Sequence, residues 1–510
     1  MNLVQIAPLD GIPALTLAWA LPALTAGALA AVRAPRVGVA LAWAASGVQL
    51  ALALRILVGF STGEGLMEDL GPQALLRYHL AVDGLNVLLL PLLALLGALV
   101  VGYGSAVGKA AQRGWLSATF ALQAALTGML LAQDLVLFGI FSAAELLPVA
   151  VLIRRFGTGL DRAAVANVFL RFFGASVALW FAGVAALGVA HLRVEGHWST
   201  DLPDLLSDQL PVPLQLVAFV LLLTSLAIRL PMFPLHGWLP PVVASGPLVG
   251  LNVVLLGVKV GAYGILRFVI PLFPAASARL DGPITVLGVI GLVYGTLLAL
   301  AQRDLRRMLA FACVAHIGLI TPGLFSLNGH GMEGGLLQMV NLGLSAAGLY
   351  FVVGFLHQRA GSSDLDKLRG FAASVPLLGF SFLVVILSSV GMPGTAGFDA
   401  LHHVLEGAIE SQRYGLALAV GLGTVALAGS LLWVHQRIFV RAPGHSPVPV
   451  EDLRLRELLI TGTLASILFG LGVYGEPALH AIEGSVHAIS ARFEHPATAT
   501  AMPADAGSHP

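Results

Sequence analysis

Apolar residues run through this chain in long blocks, and a helix needs ~20 of them to cross the hydrocarbon core of a bilayer. About fourteen such blocks are present, centred near residues 22, 48, 92, 122, 144, 177, 220, 259, 291, 315, 344, 384 (running on to about 410), 425 and 465. Polar residues gather in the short stretches between them. The ~10-residue stretches of alternating polarity that mark a membrane β-barrel are absent. The pattern predicts an all-α polytopic membrane protein of about fourteen transmembrane helices. The first block has no basic lead-in and no evident cleavage context, so it reads as a retained helix.

Charge placement tests that count, because cytoplasmic loops collect Lys and Arg. The loops after odd-numbered blocks hold seventeen of the 27 basic residues, among them Arg36, Lys109, Arg113, Arg154, Arg155, Arg306, Arg307, Arg369 and Arg441. The loops after even-numbered blocks and the C-terminal tail hold only Arg77, Arg193, Arg279, Arg413 and Arg492. An alternation this regular predicts both termini on the outer, periplasmic side of a bacterial cytoplasmic membrane. The Ala/Pro/Thr-rich end from about Pro496 reads as disordered.

Two blocks contain breaks. Pro231, Pro234, Pro240 and Pro241 interrupt the seventh, and Pro393 and Gly394 lie in the segment GMPGTAGF that interrupts the twelfth. A single proline is tolerated as a packing kink. Two breaks at equivalent ordinal positions, the fourth helix of helices 4–8 and of helices 9–13, point to a repeat with a site near mid-membrane.

Composition narrows the chemistry. The chain is 57% hydrophobic and 11% charged over 510 residues, and its mean hydropathy is +0.89. Twenty-seven basic residues balance 27 acidic ones, which leaves no charge excess to hold nucleic acid. The single cysteine, Cys313, has no partner for an internal disulfide, and no Cys/His cluster is spaced for zinc, haem or an iron–sulfur cluster. GxSxG, HExxH and P-loop motifs are absent as well. No cofactor is expected in this chain, so redox centres would belong to partner subunits.

Charges inside the apolar blocks carry the most information, since each costs at least ~2.5–3.5 kcal/mol at the bilayer centre. Glu145 lies eleven residues past Asp134, ~16 Å along a helix. Lys259 sits mid-block in LLGVKVGAYG, one of three lysines against twenty-four arginines; a desolvated lysine can release its proton, whereas arginine cannot. His316 follows the basic pair Arg306 and Arg307 by nine or ten residues, ~14 Å into the bilayer, as a proton carrier or as a neutral histidine bonded across helices. Arg229, at the seventh-helix break, can tune a nearby carboxylate by pairing with it. Asp399, His402, His403 and Glu406 follow the second break as a polar exit, a subunit contact or a solvated helix end. Glu145, Arg229, Lys259 and His316, one from each of four helices, have the composition of a lateral proton path. Ion pairs that merely stabilise the bundle are the structural alternative.

An ordered set of motifs is familiar. The segments YHLAVDGLNVLLL (78–90), AELLPVAVLI (144–153), RLPMFPLHGWLPP (229–241), GVKVGAYGILRF (257–268), AQRDLRRMLAFACVAHIG (301–318), LLQMVNLGLSAAGLYF (336–351) and LSSVGMPGTAGF (387–398) resemble the antiporter-like subunits of respiratory complex I, NADH:quinone oxidoreductase, and above all subunit M. The resemblance spans roughly residues 75–440. It implies inverted five-helix repeats, helices 4–8 (106–275) and 9–13 (276–442), between N-terminal helices 1–3 (1–105) and a helix-14 region (443–490) with a tail (491–510). It also implies proton transfer in which a helix-5 glutamate, matched by Glu145, and a helix-8 lysine, matched by Lys259, take part. Arg229 stands where the family usually has lysine, which keeps the ion-pair partner and removes a titratable site.

Other positions depart from the family. Pro241, Val243 and Ser245 replace the usual Asp, His and Glu after HGWLP, Leu342 replaces a helix-11 histidine, and Leu401 replaces a helix-12 glutamate. Fewer than forty residues follow the last span, which fits the M type rather than the L type with its long lateral helix. The expected function is proton translocation beside other membrane and peripheral subunits of a redox-driven complex. The alternatives are a non-conducting structural subunit, in complex I or in a membrane-bound hydrogenase or CO2-hydrating relative, and a cation/proton antiporter component.

Overall fold

A computed structural model describes residues 13–63, 66–72, 76–106, 108, 114–208, 210–247, 249–368, 374–440 and 451–494. Lys109, Arg113, Arg369, Arg441 and the tail from residue 495, all part of the loop-charge and tail expectations, lie outside these residues.

Helices α1 (Ala14–Ala31) and α2 (Pro35–Ser61) precede strands β1 (Leu66–Pro72) and β2 (Arg77–Val82), which pair antiparallel, and then α3 (Leu89–Ala106). Next come α4 (Trp115–Leu131), α5 (Leu135–Ala144), α6 (Leu146–Phe156), α7 (Arg162–Glu195), the short α8 (Leu202–Leu205), α9 (Val212–Arg229) and α10 (Leu239–Ser245). One further apolar stretch is divided into α11 (Leu251–Gly257), α12 (Val260–Gly264), a π-helical turn (Ile265–Val269) and α13 (Ile270–Leu272). The chain continues through α14 (Pro274–Ala301), α15 (Leu305–Leu324), α16 (Gly329–Ala360), α17 (Pro376–Ser389), α18 (Ala396–Glu410), α19 (Tyr414–His435), α20 (Leu455–Val473) and α21 (Glu476–Glu494).

Among the described residues, eleven helices are long and apolar enough to cross a membrane, and three shorter apolar helices stand between them. They are not equally enclosed. The spans Leu251–Leu272 and Gly329–Ala360 are each 94% buried and Leu305–Leu324 is 89% buried, against 33% for Pro35–Ser61 and 28% for Leu455–Val473. These three spans, with α4, whose residues are nearly all buried, form a core inside helices whose outer faces expose Leu24, Val220, Leu297 and Leu422 to the surroundings. Lys259 and His316 both stand on core helices.

The β-hairpin corrects the all-helical expectation, and its residues explain why it forms. Glu68 accepts hydrogen bonds from the backbone N–H of Leu15 (2.7 Å) and Thr16 (2.9 Å), serving the free donors at the start of α1, whose N-cap Pro13 offers no side-chain bond. His79 Nδ1 meets the fully buried Asp201 at 2.9 Å, and Arg77 reaches Asp69 at 2.5 Å. The same face receives α21, where the Gly84 N–H donates to Ser485 Oγ at 2.9 Å. The start of α1 and the last described helix therefore lie at one face. On the opposite face Thr158 N–H donates to Ser245 O (2.9 Å), and Arg306 donates to Thr158 Oγ1 and Gly246 O, both at 2.5 Å. The C-terminal region holds two helices, and α21 runs to Glu494, four residues into the segment read as tail.

Both expected breaks are present, and two more accompany them. After α9 the chain turns through residues 230–238, which include Pro231 and Pro234, and α10 restarts with Pro240 in its first turn, where a missing N–H costs no helical bond. Between α17 and α18 the turn contains Pro393 and glycines 391 and 394 at φ 75° and 83°, a conformation that favours glycine. The unanticipated breaks fall at Glu145, between α5 and α6, and at Val258–Lys259, between α11 and α12. Pro148 accounts for the first, because it lacks the N–H that Ala144 would accept one turn back.

Candidate functional site

Glu145 occupies the junction of α5 and α6 and is 1% exposed. Its carboxylate forms an ion pair with Arg229, the last residue of α9. The guanidinium is held from three further sides. Nη2 donates to Ser142 O at 3.0 Å, Nε donates to Ser176 Oγ at 3.2 Å, and the Phe173 ring lies 5.1 Å away. A charge taken from water is tolerated when paired and fully hydrogen-bonded, and the helix ends supply what this requires: Ser142 O and Arg229 both lie in last turns, where backbone groups lack intrahelical partners.

Lys259 stands at the break in the core helix with a left-handed φ of 25°. Its ammonium donates to the carbonyl of Leu256, in the last turn of α11. No carboxylate pairs with it among the described residues. The break brings α12 against the end of α9: a Cβ on Gly261 would lie 2.7 Å from both Leu226 O and Leu230 N. Only glycine permits that approach, and it sets Lys259 beside Arg229.

The result is one shared space. A cavity of ≈ 20 Å³ is lined by Glu145, Arg229, Lys259 and Cys313, with Leu230 and Ile317 among its apolar walls. About 10–15 Å³ suffices for one water molecule. The buried acid and the buried amine therefore line one small, mostly apolar space with room for a single water molecule.

His316 lies on α15, one turn beyond Cys313 and 5% exposed, and its Nε2 has no hydrogen-bond partner among the described residues. It feels the Lys259 charge, and its ring meets the backbone of Ser389 at the end of α17. From there a neutral network continues. Ser388 Oγ donates to Asn341 Oδ1 (2.9 Å), and Asn341 Nδ2 donates to Gln338 Oε1 (2.9 Å). Leu342 and Leu401 flank this second break without titratable groups.

The four residues after that break separate. Asp399 and His403 line a larger cavity of ≈ 650 Å³ that Asn341 also reaches. His402 and Glu406 are 64% and 45% exposed and face each other at 3.9 Å on the surface.

Sequence reasoning missed three groups. Asn341 and Ser388 looked like ordinary polar residues in apolar blocks. Cys313 was weighed only for disulfide or metal chemistry. Tyr263 and Arg267 continue the Lys259 face at i, i+4 and i+8, and Arg267 pairs with Asp83 at 2.5 Å while its Nε donates to Tyr263 Oη at 3.1 Å; that spacing was the available signal.

A membrane bundle whose core helices break at buried charges has counterparts among known proteins. The family model described as NADH:quinone oxidoreductase/Mrp antiporter, TM, matches residues 132–427. The chain belongs to this family. It is 33% identical over 419 residues to NADH-quinone oxidoreductase subunit M of Pseudomonas aeruginosa, covering 81% of this chain and 82% of that protein. A chain of respiratory complex I from Thermus thermophilus with bound NADH superposes with a TM-score of 0.82 at 26% identity, covering 93% of this chain and 99% of the other. A chain of the Mrp complex from a Dietzia species gives 0.84 at 24% identity over 96% and 98%, a likeness of fold. The motif resemblance to the antiporter-like M subunit therefore holds. As a member of this antiporter family the chain is a multi-pass membrane protein, and the relatives and structural neighbours it matches are subunits of multi-subunit membrane complexes.

Proposed function

We propose that this family member moves protons as an M-type antiporter-like subunit of a redox-driven, complex I-type assembly in a bacterial cytoplasmic membrane. The observation that carries this reading is the cavity shared by the Glu145–Arg229 pair and Lys259. Redox cofactors belong to partner subunits, and this chain supplies titratable groups and their electrostatic control.

Arg229 keeps its charge at every accessible pH, so the pair is ionic only while Glu145 is deprotonated. A proton arriving on Glu145 leaves the guanidinium held by Ser142 O and Ser176 Oγ alone. Its unmatched charge then repels the ammonium of Lys259, which passes its proton toward His316. One proton enters and one leaves, so the three groups start and finish this step with one net positive charge and pass through two in between, which is what drives the proton off Lys259. The proton on Glu145 then passes to the neutral Lys259, so the ion pair re-forms, the lysine is reloaded, and the three groups return to their starting charges. Beyond His316 the route continues by the Ser389 and Asn341 region toward Asp399 and His403, with His402 and Glu406 at the surface.

The architecture that goes with this reading counts the three shorter apolar helices, Leu89–Ser105, Trp115–Leu131 and Pro376–Ser389, as spans, which gives fourteen. Inverted repeats then occupy 106–275 and 276–442, between 1–105 and 443–490. With the arginine-rich face of Arg154, Arg155, Arg306 and Arg307 cytoplasmic, the hairpin face and both termini lie outside.

The test is Glu145→Gln in the assembled complex, reading protons moved per electron transferred. The ratio falls while the redox rate with an uncoupler is retained. An unchanged ratio contradicts conduction through Glu145 and leaves a structural role.

A further inference from the structure

The ≈ 650 Å³ cavity lies apart from the charged centre, between α2, α3, α16, α18, α20 and α21. Its walls are apolar stripes at helical spacing: Leu54 and Leu57 on α2, Leu92 and Leu95 on α3, Leu337 and Leu344 on α16. Each stripe runs for about two turns, so the groove is roughly 10 Å long. Polar groups collect at the end nearest α21, where Asp399, His403 and Glu476 stand, and no Lys or Arg lines the cavity. Size and lining match those of small-molecule sites, which are mostly apolar with a few convergent polar groups.

Both acids lack the arginine partner that several other carboxylates have: Glu145 with Arg229, Asp83 with Arg267, Glu457 with Arg359, Asp281 with Arg413. Asp399 is half-buried and Glu476 is exposed at the mouth of the groove. Asp399 and Glu476 make no hydrogen bond or ion pair through their carboxylates among the described residues, and Asp399 approaches the surface of Gly475 at the α20–α21 turn. His403 has Nδ1 engaged by the Asp399 carbonyl at 2.8 Å, which leaves its Nε2 for a ligand. Acyl-sized apolar walls ending in unmatched negative charge call for a molecule with a hydrocarbon tail and a compact cationic hydrogen-bond donor. A primary ammonium offers three donors, whereas a quaternary ammonium offers none.

We propose that this groove is a binding site for a phospholipid with a primary-ammonium headgroup, of the phosphatidylethanolamine type, drawn from the leaflet on the hairpin face. The acyl chain lies along α2, α3 and α16, and the ammonium meets Asp399 and Glu476. The site shares Asp399 and His403 with the outer end of the proposed proton route, lies away from the Glu145–Lys259 centre, and is formed by this chain alone.

Native mass spectrometry of the full-length chain, exchanged into equal mixtures of phosphatidylethanolamine, phosphatidylcholine and phosphatidylglycerol with matched tails, tests it. The ethanolamine lipid is retained over the other two on the order of tenfold, as two charge-assisted hydrogen bonds would give. The double variant D399N/E476Q, at the mouth of the groove, folds and keeps lipid but loses that preference, while V340F, which fills the groove, loses lipid of every headgroup. Equal retention by the unaltered chain, or a preference that survives D399N/E476Q, overturns the assignment. So does a cysteine at Leu54 in the assembled complex that cross-links to a partner subunit's helix, because the groove then belongs to a protein interface.

Discussion

Two helix breaks sit on either side of the core, and they use one backbone device for different chemistry. At the α9–α10 break the unsatisfied helix end surrounds an ion pair, Glu145 with Arg229, beside the amine of Lys259. At the α17–α18 break the corresponding space holds Ser388, Ser389 and Asn341, and the neighbouring Leu342 and Leu401 are apolar. The first break holds an ion pair at its turn, whereas the second holds neutral hydrogen-bonding groups there and meets titratable ones only at its edges, in His316 and Asp399. A broken helix therefore marks where polar chemistry is possible, and the side chains decide whether it is electrostatic switching or neutral relay.

Removing one charge at the first break should have the largest effect. Arg229→Leu strands a buried carboxylate and should cost about 3–5 kcal/mol, read as a lowered unfolding midpoint of the complex. Adding Glu145→Gln to it should recover much of that loss. If Arg229→Leu leaves stability unchanged, the pair is not buried as described.

At the second break Asn341→Leu should cost less, about 1–3 kcal/mol, because it orphans the neutral Ser388 hydroxyl and Gln338 amide. An effect equal to that of Arg229→Leu would erase the contrast between the breaks. Next comes Gly261→Ala, whose methyl meets the backbone of Leu226 and Leu230. Overpacking there should cost about 1–3 kcal/mol and move Lys259 away from Arg229, measured as slower proton transfer at unchanged electron transfer.

The sequence carries some of this plainly. Prolines 231, 234 and 393 announced two breaks because proline removes a donor, and isolated charges in apolar blocks stood out because burial makes them costly. The break at Lys259 was hidden: no proline is there, and it depends on Gly261 meeting Leu226 and Leu230 at the end of α9, a contact between segments distant in sequence. The hairpin was equally hidden, since Glu68 and His79 earn their roles from partners at Leu15 and Asp201. The pairing of Arg229 with Glu145 could be anticipated from residue type, whereas the cavity joining that pair to Lys259 is a property of three packed helices and of no local pattern.

The smallest effect concerns the hairpin, which lies away from both breaks. Burial pushes the Asp69 carboxyl up, but hydrogen bonds from Arg77 and the Gly71 N–H outweigh it and hold the group below its ordinary 3.8. A carboxylate with a lowered folded value stabilises the fold above the unfolded value and loses that contribution as pH falls through the folded one. Hydrogen exchange at the hairpin amides should therefore be unaffected between pH 7 and 5, in terms of protection, and protection should fall only below about 4. Asp69→Asn should remove the acid-dependent step.

The most direct test of the central claim follows the Glu145 carboxyl itself by infrared difference spectroscopy during turnover of the assembled complex. A protonated-carboxyl band that rises and decays with turnover, vanishes in Glu145→Gln, and is trapped in one state by Lys259→Met is the predicted result. A Glu145 carboxyl that never changes protonation while the complex pumps at its full ratio would contradict the account.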